Sequence, residues 1–370
     1  MAAEGSATGR FEPVREVFED LLAAEPGLSA QLCVRWRGDV VVDLAGGDGL
    51  EADDLTAVFS VSKGMAALTV GLLVETGELD IDAPVARYWP EFAAKGKAGV
   101  TVAQLLSHQA GLVNATPPLA VADVLDSTVG AAKLAASRPL WRPGSAFGYH
   151  ALTLGVFMEE LVRRLRGTTL QHLYDEAIRR PHGIDAYLGL PEELDWRYRP
   201  VLPVASPPDA VPTDDLAALA MLSLLAPPGG GGVAETTNLT ASRRIGPAAG
   251  GGVASARGLA ALYAAAFGQA GPPLLSAMTI ERMSQEQVWG VDRIHGVEAA
   301  FGVGFMRPIP RLPWGSYRAF GHDGMGGALG FADPLHDLSF GYVPRPWSDP
   351  SCDHERAVAL SVAARRCASA

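Results

Sequence analysis

The chain has 370 residues, 48% of them apolar and 19% charged, with a formal net charge of −11. That composition supports a sizeable core and excludes wholesale disorder. It offers no basic face for a nucleic acid, and its longest apolar run, 64–74 between Lys63 and Glu75, is too short to cross a bilayer.

The first residues lack a basic segment followed by an apolar one, so no secretory signal is read and a cytoplasmic location is expected. The three cysteines, Cys33, Cys352 and Cys367, are odd in number and match no zinc spacing. They read as thiols in a reducing compartment.

In chain order, apolar residues at helical spacing predict a helix over 11–24. Two strand-like runs follow, 28–36 and 40–44, with Arg37-Gly38-Asp39 as a hairpin turn. A second helix is expected over 60–76. The stretch from 86 to 240 reads as mainly helical, with helices at 101–106, 121–137, 151–165, 170–178 and 214–225. Four consecutive glycines from Gly229 place a loop at 227–232, expected to be mobile. A helix over 255–267 is followed by strands at 317–321, 327–332 and 338–343 and a terminal helix over 355–364. Strands at both ends with helices between predict an α+β fold: an antiparallel sheet flanked by the N- and C-terminal helices, with an inserted mainly helical domain. The boundaries read as 1–85 and 240–370 for the two parts of the α/β domain and 86–239 for the insertion.

Three segments carry chemistry. Ser60-Val61-Ser62-Lys63 places a serine and a lysine three apart on one helix face, so the amine can reach the hydroxyl. A helix N-terminus and burial both favour the neutral amine, the form that accepts a proton. Tyr149 follows the turn Pro143-Gly144 and precedes an apolar helix; a phenol beside an ammonium can relay protons. Gly321-His322-Asp323-Gly324-Met325-Gly326-Gly327 is a glycine-rich strand edge whose N–H groups can hold an oxyanion. No G-x-S-x-G elbow occurs, and the eight histidines show no metal-binding spacing, so neither a metal nor another cofactor is expected.

Together these segments resemble the β-lactamase-related serine hydrolases, the group of class C β-lactamases, D-Ala-D-Ala carboxypeptidases and family VIII esterases. Phe59 to Gly64 is similar to the family's nucleophile helix, and Leu105-Leu106-Ser107-His108-Gln109-Ala110-Gly111-Leu112 to its "LLSHxxGL" signature. Pro143 to Tyr149 resembles the tyrosine motif, Gly251 to Ala256 the return into the α/β domain, and Gly321 to Pro334 the strand-borne third motif. The resemblance runs from about 11 to 345. It implies the β-lactamase/penicillin-binding-protein fold, Ser60 as the acylated nucleophile and Lys63 and Tyr149 as its acid–base partners. Which of the two takes the proton in acylation stays open. It further implies an oxyanion hole from the N–H groups of Ser60 and Met325, substrate contacts from His322, Asp323 and Gly324, and a structural role for His108.

Two departures bear on substrate. Tyr149-His150-Ala151 stands where β-lactamases carry Tyr-x-Asn, and His322 stands where they carry the lysine of K-T-G. Both weaken recognition of β-lactams, and both are tolerable for an ester. The expected activity is hydrolysis of small-molecule carboxylic esters through an acyl-enzyme, with no nucleic-acid or membrane partner and with the oligomeric state open. Acyl transfer and weak β-lactamase activity are the alternatives, and outside enzymes an inactive ligand-binding member of the fold. His322 is expected at the rim of the site, with Asp323, its neighbour on the strand, pointing away.

Overall fold

The computed structural model describes residues 3–202, 215, 233–345 and 354–370. Its strands, in chain order, are β1 (Glu4–Ala7), β2 (Ser29–Trp36), β3 (Asp39–Gly46), β4 (Thr56–Phe59), β5 (Ala186–Leu188), β6 (Gly252–Ala254), β7 (Val288–Val291), β8 (Glu298–Phe301), β9 (Phe320–Asp323), β10 (Leu329–Asp333) and β11 (Leu338–Arg345). Six of them form one sheet in the order β1-β3-β2-β11-β10-β9, every neighbouring pair antiparallel. The two ends of the chain meet in its centre, where β2 pairs with β11 from Ser29↔Arg345 to Trp36↔Leu338.

Sequence period explains the layering. Side chains alternate across a strand, so Leu32 and Val34 join Phe18, Leu22 and Leu360 from the terminal helices Glu12–Ala24 and Glu355–Ser369. Cys33, between them, joins Val61 and Leu259 from the helices Val61–Glu75 and Ala256–Ala266 on the opposite face. Burial, and then Asp43, push the Cys33 thiol up to about 12, so it stays protonated and acts as a small apolar group. The β2–β3 hairpin turns at Arg37 and Gly38, both with positive φ (53° and 93°), the backbone that matches strand twist in a two-residue turn.

This is the expected α+β fold, with adjustments that have local causes. The helix expected over 121–137 is two, Val121–Leu125 and Ser127–Ala136. They part at Asp126, whose side chain accepts from Val129 N at 3.4 Å and so starts the second one. The strand expected at 317–321 begins only at Phe320. Ser316 is tied to Asp333 through both its N–H (2.9 Å) and its hydroxyl (2.6 Å), which makes a turn and leaves Tyr317 74% exposed. The short strands β4, β6 and β5, which pair as a separate sheet, and the β7–β8 hairpin were not anticipated. The expected helix 214–225 and glycine loop 227–232 lie outside the described residues, Asp215 apart. Among the described residues no helix is long and apolar enough to cross a membrane.

Candidate active site

β4 ends at Phe59, whose φ of 47° is unusual for a bulky residue and costs about 1–3 kcal/mol. The turn it makes sets Ser60 as the N-cap residue of the helix Val61–Glu75, facing a cavity of about 390 Å³. Ser62, by contrast, accepts a hydrogen bond from Gly252 N (2.8 Å) and donates to Phe59 O. It joins the helix to β4 and β6 and is fully buried.

Lys63 lies beneath Ser60 with no exposed surface. Its Nζ is 2.9 Å from Ser60 Oγ, 2.7 Å from Ala151 O and 2.7 Å from Ala249 O. A neutral amine has two N–H groups, and the two carbonyls take both. Its lone pair is then left for the Ser60 hydroxyl. Burial lowers the lysine to about 7, opposed by the charge of Asp323. Gly64 is required next to it: a Cβ there would sit 2.1 Å from the Tyr263 hydroxyl.

Tyr149 lines the same cavity, with its ring centroid 4.9 Å from Lys63 Nζ. The ring is held between His108 (4.9 Å) and Phe301 (5.9 Å). Two histidines support the segment from below. His108 Nδ1 accepts from His150 N (3.0 Å), and His150 Nε2 accepts from Leu112 N (3.0 Å). Both rings therefore accept through one nitrogen, which suits neutral imidazoles. Burial lowers His150 to about 4 and holds His108 well below its ordinary value. His108 also has a positive φ of 65°, and its carbonyl accepts from Gly148 N at 3.1 Å, so it ties the turn as expected of a structural residue.

Two carboxylates near the cavity escaped the sequence reading in position or direction. Asp292 is buried after β7 and accepts from Tyr149 N (2.7 Å), Ile294 N (2.7 Å) and His295 N (2.8 Å). It locks the β7–β8 turn to the tyrosine segment and sets the His295 ring 5.3 Å from Tyr149. The only advance signal was a lone Asp-x-x-His pair.

Asp323 and Met325 line the cavity with Ser60, while His322 and Gly324 do not. The expectation for the pair 322–323 is thus reversed. Strand alternation does set them on opposite faces, but the cavity lies on the Asp323 side. His322 is 1% exposed, is not at a rim, and has its Cβ turned toward Gly64 of the helix Val61–Glu75. Its Nδ1 donates to Asp323 O at 2.7 Å. Gly324 permits a close approach: a Cβ there would meet Val58 O at 2.3 Å, and this brings the turn that carries Met325 against β4, next to Ser60. Asp323 Oδ2 pairs with His354 Nε2 at 3.0 Å. Burial pushes this carboxyl up, but the charge of His354 and hydrogen bonds from His322 and His354 outweigh it and hold the group well below the usual carboxylate range.

The rest of the wall is mostly apolar, with Val124, Leu152, Val297, Phe301 and Leu312 among its members and Arg243 and Arg311 as cations. Among the described residues, no three or more His, Cys, Asp or Glu side chains are grouped to hold a metal ion.

The family described as Beta-lactamase matches residues 14–363. Esterase/beta-lactamase LipL of Mycobacterium tuberculosis is 31% identical over 365 residues, covering 92% of this chain and 82% of that protein. Among solved structures, EstA from Arthrobacter nitroguajacolicus Rue61a superposes with a TM-score of 0.92 at 45% identity, over 100% of this chain and 99% of that one. A family VIII carboxylesterase superposes with a TM-score of 0.87 at 35% identity, over 99% and 100%.

Proposed function

The chain belongs to the beta-lactamase family, and we propose that within it this protein is a serine carboxylesterase with Ser60 as nucleophile. The observation that carries the reading is the environment of Lys63 Nζ: two backbone carbonyls and one serine hydroxyl, in a site without water-exposed lysine surface. The relatives named as esterases support the same substrate class.

The chemistry follows from those groups. Ser60 Oγ attacks the ester carbonyl carbon while its proton passes to the neutral Lys63 amine, directly or through the Tyr149 phenol. The carbonyl π electrons move onto oxygen, and the N–H groups of Ser60 and Met325 are the donors we assign to that oxyanion. Collapse breaks the carbon–alkoxy bond, and the departing alkoxide takes the proton back from the Lys63/Tyr149 pair. Water then repeats the sequence on the acyl-enzyme and releases the acid. No cofactor enters. A mostly apolar wall suits an uncharged small-molecule ester.

Esters are the preferred class over β-lactams. Ala151 offers the cavity a methyl group where the β-lactamases have an amide, and His322 does not line it. The test is a mass spectrum after brief exposure to a nitrophenyl ester and, separately, to a cephalosporin, with kcat/KM measured for both. The expected result is an acyl adduct on the Ser60 peptide and a much larger kcat/KM for the ester. An adduct elsewhere, or none, removes Ser60 from the mechanism. Equal kcat/KM values remove the ester preference.

A further inference from the structure

Beyond the serine, lysine and tyrosine lies an aspartate–histidine pair that bridges two distant parts of the chain. Asp323 closes β9, two residues before Met325. His354 is the N-cap residue of the terminal helix Glu355–Ser369, which packs against Glu12–Ala24 on the far face of the sheet. Both line the cavity with Ser60, and their side chains meet at 3.0 Å. A carboxylate only accepts, so His354 Nε2 carries a proton toward it.

Titratable groups surround Lys63 on several elements, Glu159 of the helix Thr153–Arg166 and Tyr263 of the helix Ala256–Ala266 among them. Tyr149 lies over the lysine, His108 and His150 sit under the tyrosine, and His295 comes from the β7–β8 turn. His322 and Asp323 come from β9, with Asp292 behind His295 and Arg243 and Arg311 on the cavity wall. Of the two carboxylates that line the cavity, Asp292 is occupied by three backbone N–H groups of its own turn and of Tyr149. Asp323 ends β9, which packs against the lysine's own helix, and has no such backbone cage on Oδ2, which meets His354; its charge favours the ammonium. His354 Nε2, at 3.0 Å from Oδ2, and His322 Nδ1, at 3.5 Å from Oδ1, are the groups placed to offset that charge when protonated.

We propose that Asp323 and His354 are positioning residues whose combined charge sets how readily Lys63 takes the Ser60 proton, which makes the C-terminal segment part of the active site without contact to the reacting atoms. The inference rests on Lys63 acting as the base. The two members have opposite signs of effect. An uncompensated Asp323 favours the ammonium, which cannot accept a proton. Loss of Asp323 favours the amine.

The experiment is the pH dependence of kcat/KM, which reports the free enzyme's essential groups, for wild type, Asp323→Asn and His354→Gln. The expected result is an acid limb displaced downward in Asp323→Asn and upward in His354→Gln, each by about 0.5–1 unit. Either variant alone suffices if the other fails to fold, because each has its own sign. Unmoved limbs, or two limbs that move the same way, overturn the proposal, since a purely structural role lowers the rate without opposed shifts. Single-turnover acylation of Lys63→Met separates the two levels. If its acid limb persists unchanged, Lys63 is not the base and both readings fall. If the limb vanishes there yet stays put in the Asp323 and His354 variants, only the present inference fails.

Discussion

Among the described residues two lysines are fully buried, and one of them lies beneath the serine that faces the cavity. Lys63 Nζ meets two carbonyls and a serine hydroxyl. Lys97 Nζ meets three carbonyls, those of Ala94 (2.7 Å), Ala135 (2.9 Å) and Ser137 (2.6 Å). Burial lowers both, Lys63 to about 7 and Lys97, with help from Lys95, to about 8. The difference lies in what the third partner can do. A carbonyl only accepts, so the Lys97 site is satisfied only by three N–H groups, which means an ammonium. A hydroxyl both donates and accepts, so the Lys63 site is satisfied in either protonation state. Burial makes a lysine easier to deprotonate, but a base also needs a partner able to reverse the direction of the hydrogen bond.

The contrast is sharpest in the rates. Ser60→Ala removes the reversible partner and should lower kcat for a nitrophenyl ester by about 10⁴-fold or more, with the melting temperature little changed. Retention of more than a few per cent of the wild-type rate would show the nucleophile to be elsewhere. Lys63→Met should cost about 10²- to 10⁴-fold in kcat with little change in KM. It should also flatten a stability slope. Between about pH 7 and 10.5 the unfolded chain binds a proton that the folded lysine does not, so wild-type stability rises with pH through that window. Chemical denaturation at several pH values reads this directly; an unchanged slope in Lys63→Met breaks the comparison.

Lys97→Met should do the reverse. It leaves the buried carbonyls of Ala135 and Ser137 without their donor, at about 1–3 kcal/mol each. The kcat of the folded fraction should stay at the wild-type value. A fall in kcat comparable to that of Lys63→Met would mean that the two buried amines are functionally linked. The smallest effect on turnover is expected from Ser62→Ala. It deprives Gly252 N–H of its acceptor, again about 1–3 kcal/mol, but leaves kcat within a few-fold of wild type. A large loss of kcat would make Ser62 more than a strut between the helix and β6.

These two lysines also mark where the sequence was readable. The Ser60–Lys63 spacing has a geometric meaning on any helix, so the pair is legible in the sequence itself. Lys97 was not, because the carbonyls that bury it come from residues 94, 135 and 137, which no local pattern joins. The sheet was legible wherever strands were long enough to alternate, as in β2 and β11. The three- and four-residue strands β4, β5 and β6 carry too few positions to show a period, though β4 is what delivers Ser60. The same limit explains Asp323. Alternation says that it opposes His322, but the side on which the cavity lies depends on β8 and on His354, far away in sequence. His322→Lys, attractive from motif similarity alone, should therefore place an ammonium against the helix Val61–Glu75 and gain no contact with substrate.

The pairing of β2 with β11 has a consequence for biogenesis. Ser60 is made early, but the turn that carries Met325 follows β9, and β9 is held in the sheet through β10 and β11. Closing a loop of some three hundred residues is among the slower events in folding. A nascent chain stalled before β11 already contains Ser60 and Lys63 but lacks the strand that holds β9, and the turn after it, in the sheet. Esterase activity should thus appear only after the last strand is in place. This makes turnover itself a readout of completed folding, and spares the growing chain a reactive serine in an unfinished site.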